Sequence, residues 1–311
     1  MSSSVLYDVP GPRAIARNRI LAVVTILVVA AVIGFIVYRF YVTGQFSPKK
    51  WGIFTYATIW EQIGSALGKT LAAFAAAAVG SIALGFVLAI GRLSDHAIVR
   101  VPFAATTELF RAVPVLVMMM LLYYGLPSVG VKMDPYWAVV IALVVYNGSV
   151  LAEALRAGIE ALPRGQKEAG YAIGLRKNGV MRLILLPQAV RAMLPVIVSQ
   201  LVVTMKDTAL GFIITYPELL YLAKQLSSNV QFERPLLQSG IVIGGIYIAM
   251  CLVLSGIAKW LENRMRKSPK VKGDAAAGAA AAVAAVGLAA DPRLHEGTVT
   301  EVIGTQQSDE V

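Results

Sequence analysis

Four charged residues stand where apolar chain surrounds them: Arg111, Glu153, Lys206 and Asp207 fall inside, or at the edge of, long hydrophobic stretches. A charge near the centre of a bilayer costs roughly 2.5–3.5 kcal/mol on insertion scales, so each requires a partner or water. Lys206 and Asp207 set a cation beside an anion, and Arg111 adds a second cation. Together they suit a zwitterion whose carboxylate and ammonium each need a counter-charge, a polar path through apolar surroundings. Because two of these three are cationic, an acidic solute such as glutamate fits best. The competing reading is structural: Glu108, Arg111, Glu153 and Arg156 lie near helix ends, where they pair with one another or extend to the interface.

Other chemistries lack their parts. Cys251 is the one cysteine and sits in an apolar run, so neither a disulfide nor a cysteine metal site is available. His96 and His295 have no metal-ligand spacing, and His96 in Ser94-Asp95-His96 reads as a solvated loop residue. Gly64 to Thr70 imitates a phosphate-binding loop, but three residues separate its glycines where four are needed, and it opens an apolar helix instead of following a strand. Any ATP chemistry must therefore come from another chain.

The elements that position these residues are membrane helices. The chain of 311 residues is 57% hydrophobic and 15% charged, against about 25% charged in ordinary soluble domains. Charge-free windows run over Ile20 to Tyr38, Thr70 to Gly91, Ala112 to Val131, Pro135 to Ala152 and Pro235 to Ala258. About 20 residues suffice for a pass. A sixth window, Ala192 to Pro217, is interrupted by Lys206-Asp207, which is expected to break that helix. Gly80, Ser81, Gly85 and Ala89 repeat small residues along the second window, a face that lets helices approach closely. The first window is too long for a signal peptide and has no small-residue cleavage site after it, so a retained anchor is expected.

With both termini cytoplasmic, 19 of the 28 Lys and Arg fall inside and 5 outside, the rest lying in or beside helices. That asymmetry orients the chain. It also accounts for the net charge of +10 by anionic lipid rather than nucleic acid. Outside, Tyr216 to Pro235 mixes apolar and charged residues and suits either an interfacial helix where a binding protein docks or a packed loop.

The stretch from Arg156 to Arg182 is the longest internal hydrophilic one. Pro163 suits the start of a short helix, Gly170 and Gly174 allow close backbone approach, and Asn178-Gly179 marks a turn, so two short helices are expected. Within and beyond it runs Glu168-Ala169-Gly170, three residues, Gly174, nine residues, Ile184, one residue, Leu186-Pro187. This resembles the EAA loop of ABC-importer permeases, with Gly170 in place of the second alanine. Glu108-Leu-Phe-Arg111-Ala-Val-Pro114, Tyr123-Tyr-Gly125-Leu-Pro127, Glu153-Ala-Leu-Arg156-Ala-Gly158 and Lys206-Asp207-Thr208-Ala-Leu210 narrow the resemblance to permeases for polar amino acids. That family has Arg-Gly-Thr-Pro where this chain has Arg111-Ala-Val-Pro114.

The resemblance implies an all-α, type-I ABC importer transmembrane domain over residues 60–262, with the coupling loop at 163–187. Residues 1–19 would be a cytoplasmic segment and 20–42 an added membrane helix, for about six in all; 263–311, rich in alanine and then polar, would be a disordered cytoplasmic tail. It further implies a prokaryotic plasma-membrane permease that catalyses no covalent chemistry and holds no cofactor. ATP and magnesium would belong to a cytoplasmic ATPase dimer, and a second permease subunit, alike or different, and an external binding protein would complete the machine. Glu168, Ala169, Gly170, Gly174, Ile184, Leu186 and Pro187 would couple to the ATPase; Arg111, Lys206 and Asp207 would line the path. Two alternatives differ in class. A secondary carrier would show broken helices in two related halves, and a membrane-embedded enzyme would show convergent His, Asp or Cys groups.

Overall fold

The computed structural model describes residues 11–266, and the ends of the expected cytoplasmic segments, 1–10 and 267–311, lie outside them. Among the described residues every regular element is helical. The principal helices are α1 Pro12–Val42, α2 Ala57–Arg92, α3 Ala97–Ala112, α4 Val115–Ser128, α5 Pro135–Glu160, α6 Arg164–Ala172, α7 Lys177–Ile214, α8 Leu219–Ser227 and α9 Leu236–Arg266. Five are long and apolar enough to cross a membrane, and six passes result if α3 and α4 count as one bent span.

Two compact units divide the chain. One comprises residues up to Gln62 together with Ala223–Val242. In it α1 buries none of its residues, as expected of a helix whose solvent is lipid. Trp60 Nε1 donates to the Phe54 carbonyl at 2.8 Å, and Lys49 pairs with Glu233 at 3.3 Å.

The second unit, Ile63–Leu222 with the chain from Ile243 onward, holds the apolar core. Its centre is α5, the most buried of the long helices. Ala138, Val139, Ala142 and Leu143 pack with Ala73 and Ala77 of α2, Met119 of α4 and Ile214 of α7. One turn after another toward the far end of α5, Leu151, Ala152 and Leu155 meet Leu88, Ala89, Met193 and Ile197. The small-residue face of α2 does what its spacing implies: a Cβ on Gly85 would stand 2.9 Å from Leu151 Cβ and 3.1 Å from the Gly148 carbonyl. Without a hydrophobic force between helices in lipid, such close contact is a main source of association.

Three expectations need correction. Lys206-Asp207 does not break its helix: α7 is α-helical from Leu186 through Asp207 and then tightens to a 3₁₀ turn over Thr208–Ile214. Charge opposes burial but does not oppose helical dihedrals, so a charged pair interrupts a hydropathy window without interrupting the backbone. The real break lies inside the third window, at Val113-Pro114, where α3 and α4 meet at 95°. Val113 is extended (φ −87°, ψ 121°), the conformation favoured for a residue that precedes proline. The hydrophilic loop holds one short helix, not two. Asn178 and Gly179 are helical, and Lys177 begins α7 itself.

Candidate functional site

The loop between α5 and α7 is built around two glycines with different tasks. Pro163 stands at the N-cap of α6, not inside it. Of the nine residues in α6 only Gly170 is buried, and Gln166 adds an exposed contact, accepting from Gln188 Nε2 at 3.4 Å. A Cβ on Gly170 would lie 2.8 Å from Val180 Cγ2 and 3.0 Å from Ile184 Cδ1. The departure from the E-A-A pattern is thereby explained: with valine at 180, there is no room for alanine at 170 unless Val180 shifts.

Gly174 has another role. Nothing in the chain lies within 4 Å of where its Cβ would stand, and its φ is +82°. Its N–H donates to the Tyr171 carbonyl at 2.9 Å, and the Leu175 N–H donates to the Gly170 carbonyl at 3.2 Å. That bond pair is the Schellman ending of a helix, which requires a left-handed residue at this place. Close backbone approach, expected at both glycines, applies within this chain to Gly170 alone.

Glu168 and Ala169 are exposed, as are Tyr171 (41%) and Ile173 (76%). Tyr171 on α6 and Ile173 at its C-cap thus leave two large apolar side chains uncovered by this chain. Ile184 and Leu186 are half-buried and Pro187 is exposed. Before that proline the helix widens to a π turn over Val180–Leu185, where the Leu186 N–H bonds to the Met181 carbonyl. The same occurs at Leu126-Pro127, where the Leu126 N–H bonds to the Leu121 carbonyl. Each Leu-Pro pair thus continues its helix with the extra residue that a proline ring needs to clear the preceding turn.

The charges separate into two places. Glu153 on α5 is the hub of the first: Arg92 approaches at 2.9 Å, Arg156 at 2.6 Å and Arg111 at 4.0 Å. Glu108 adds contacts to Arg92 at 3.2 Å and Arg111 at 3.6 Å, and Glu160 pairs with Arg156. Three cations meet three anions, with the Arg92 and Glu153 side chains only 10% and 15% exposed. The structural reading of Glu108, Arg111, Glu153 and Arg156 therefore has its geometry. Arg92 was missed, because it lies just past a charge-free window and nothing local marks it.

Lys206 and Asp207 are elsewhere, one exposed and the other half-buried. They precede Gly211, whose Cβ position meets Val139 Cγ2 at 3.0 Å. Along α5 this level, at Val139, is roughly 21 Å from Glu153 at 1.5 Å per residue. Arg111 therefore does not join Lys206-Asp207 in one constellation. Between the two levels Gln200 Nε2 donates to Asn147 Oδ1 at 2.7 Å, and Asn147 Nδ2 donates to the Leu143 carbonyl at 2.9 Å. This uncharged link between α5 and α7 is invisible to a count of charges.

Glu218, also missed, is fully buried at the start of α8. Its carboxylate accepts from the N–H groups of Leu220 at 2.8 Å and Tyr221 at 2.7 Å, and from the Tyr247 hydroxyl. Burial nonetheless raises its pKa above the ordinary carboxylate value. Tyr216 close by donates to the Lys69 carbonyl at 2.8 Å, and burial pushes its hydroxyl up to about 12. Within this stretch the apolar residues Leu219, Leu222, Ala223 and Leu226 are buried. Among the described residues no group of three His, Cys, Asp or Glu side chains could hold a metal ion.

Comparison with known proteins places this geometry. Residues 81–267 match the family described as binding-protein-dependent transport system inner membrane component. The glutamate transport system permease protein GluD of Corynebacterium glutamicum is 37% identical over 72% of this chain and 82% of its own length. The arginine transport system permease protein ArtQ of Bacillus subtilis is 32% identical over 65% of this chain and 91% of its own. Among solved structures, an amino acid ABC transporter crystallised with histidines matches with a TM-score of 0.62 and 27% identity, covering 68% of this chain and 97% of that one. The inward-facing MetNI methionine ABC transporter shares the fold, with a TM-score of 0.56 at 15% identity over 68% of this chain and 99% of its own.

Proposed function

We infer the role of this chain from its family: it belongs to the inner membrane components of binding-protein-dependent transport systems and is the permease subunit of an amino acid ABC importer. It is a multi-pass membrane protein and a transport subunit, with ATP hydrolysed by a separate subunit.

The finer assignments are our proposal. α6 is the coupler to a cytoplasmic ATPase dimer. The observation that carries this is the nearly complete exposure of α6, which buries only Gly170 and presents Glu168, Ala169, Tyr171 and, at its C-cap, Ile173 outward. When the ATPase pair closes, α6 is drawn along and the bundle shifts between inward-open and outward-open states. The basic-residue asymmetry supports a cytoplasmic position for this loop and for both chain ends. A second permease subunit and an external binding protein complete the assembly. The solute is a polar amino acid, with an acidic one such as glutamate favoured by the cationic Lys206 and by the resemblance to GluD.

The test is ATP hydrolysis in vesicles containing this chain, its ATPase and its sister subunit. Loaded binding protein should stimulate hydrolysis in the parent, and Glu168→Lys should abolish the stimulation while the ATPase still co-purifies. Unchanged stimulation would remove the coupling role from α6.

A further inference from the structure

The loop that carries α6 ends at Lys177, and the Lys177 side chain does not turn toward solvent. Its ammonium lies 2.5 Å from Asp95 Oδ1 and 3.1 Å from the Leu93 carbonyl. Both acceptors belong to the short connection between α2 and α3. Leu93 follows the last residue of α2, so its carbonyl is among those that a helix end leaves without an intrahelical partner, and a cation there also meets the negative end of the helix dipole. Two residues beyond Asp95, α3 begins. One side chain therefore fastens the start of α7 to the end of one helix and the approach to another.

This fastening lies beside an apolar one. Val180, Leu185 and Ala189 of α7 pack with Ile159 of α5, and Leu93 and Leu175 pack against that cluster. Gly170 seats α6 on Val180 and Ile184 of the same segment. Beyond Leu93 in the other direction stands Arg92, paired with Glu153 and Glu108. A continuous set of contacts thus runs from α6 to the charge cluster, and Lys177 is its ionic link.

We propose that Lys177 is a positioning residue for coupling: through Asp95 and the Leu93 carbonyl it clamps the α2–α3 connection to the loop, so that displacement of α6 carries the start of α3 with it. The inference rests on the coupling role of α6 and adds the route by which its motion leaves the loop. Stability is not the reason for the contact. Asp95 is 75% exposed at its side chain, and exposed ion pairs add little to a fold. The hydrogen bond from Lys177 holds the Asp95 carboxyl below its ordinary range. What the contact supplies is a fixed spacing between two elements whose relative motion would waste the stroke.

The experiment joins the two positions covalently in the assembled transporter. In a Cys251→Ser background, Asp95→Cys and Lys177→Cys are introduced together, and transport per ATP hydrolysed is measured in vesicles before and after a short bifunctional thiol reagent bridges them. Without the bridge, coupling should fall at least about fivefold; with it, coupling should return toward the parent value. Lys177→Arg should keep most of the coupling, and Lys177→Met should lose it while the ATPase still co-purifies. The clamp is overturned if the unbridged pair couples like the parent, or if bridging arrests transport, since the two positions would then have to separate during the cycle. Glu168→Lys in the same vesicles reads the coupling role of α6 separately. Loss of stimulation there, with normal coupling in the unbridged pair, would keep the coupler and discard the clamp. Normal stimulation there would discard the coupler and, with it, the clamp as the route of its motion, whatever the bridge restores.

Discussion

Arg92 Nη1 lies 2.9 Å from Glu153 Oε2, and this contact decides how the whole charge cluster responds to substitution. Arg92, Arg111 and Arg156 balance Glu108, Glu153 and Glu160. Glu153→Gln leaves three cations against two anions in a place that water reaches poorly, and unpairing a buried charge costs about 3–5 kcal/mol. Adding Arg92→Gln restores the balance. The single variant should melt earlier in detergent and co-purify less ATPase, while the double variant should recover most of the loss. A double variant that is worse than Glu153→Gln alone would mean that charge balance is not what holds the cluster.

Gly170 and Gly174 should fail differently, since one is limited by space and the other by dihedral angle. Gly170→Ala meets Val180 and Ile184, and overpacking costs about 1–3 kcal/mol; Val180→Ala should relieve it. Gly174→Ala has open space but a φ of +82°, which costs about 1–2 kcal/mol for a residue with a Cβ. No change at position 180 should relieve that. Gly174→Asp should act in the same direction and reduce substrate-stimulated ATPase activity. Proteolytic sensitivity of the loop in the four variants measures the difference, and rescue of Gly174→Ala by Val180→Ala would contradict it.

Much of this was legible in advance because lipid imposes one dominant rule, a run of about 20 apolar residues per helix. The windows at Ile20 to Tyr38 and Thr70 to Gly91 fall inside α1 and α2, and that at Pro235 to Ala258 starts one residue before α9. Two of the three errors share a cause: charge served as a proxy for helix ends. Lys206-Asp207 is charged yet helical, while Val113-Pro114 is apolar yet marks a 95° bend. Proline restrains dihedrals and charge restrains solvation, and the two need not coincide. The E-A-A-like pattern is readable at fixed spacing, but the reason for glycine at 170 required Val180, ten residues away. Partners such as Arg92 for Glu153, or Lys177 for Asp95, depend on packing across 61 and 82 residues of chain, which no local pattern records.

Glu218 gives a pH dependence whose sign is set by burial. Its folded pKa is raised above the unfolded value near 4.5. Its contribution is therefore fully present below that unfolded value and is lost as pH rises through the folded one. Glu218→Gln removes the titration. The stability of the parent relative to Glu218→Gln should accordingly decrease as pH rises from about 4.5 toward neutrality. Thermal melts of both proteins at matched pH measure it, and a relative stability that increases with pH would show that the three donors outweigh burial.

The orientation proposed for the chain predicts opposite accessibility for two exposed residues. In a Cys251→Ser background, Gly165→Cys before the middle of α6 should resist a membrane-impermeant thiol reagent applied to intact cells. Ser228→Cys, just after α8, should react. Strong labelling at position 165 from outside would overturn the cytoplasmic placement of the coupling loop.

Lys206 and Arg111 were expected to share one path, and their surroundings now predict that they behave differently. Arg111 is already within ion-pair range of Glu108 and Glu153. If its charge serves that pairing, Arg111→Met should impair transport by leaving carboxylates unbalanced, and Glu108→Gln should restore much of it. Lys206 is exposed on α7, shortly before the Gly211 contact with Val139, which lies roughly 21 Å along α5 from Glu153. If Lys206 meets the carboxylate of the solute, Lys206→Met should cut uptake by at least about tenfold with assembly intact, since removing one partner of a desolvated charge pair costs 2 kcal/mol or more. Glu108→Gln should not rescue it. Uptake measured at saturating loaded binding protein separates the cases: near-normal uptake by Lys206→Met would remove this residue from the path, and failure of Glu108→Gln to help Arg111→Met would return Arg111 to it.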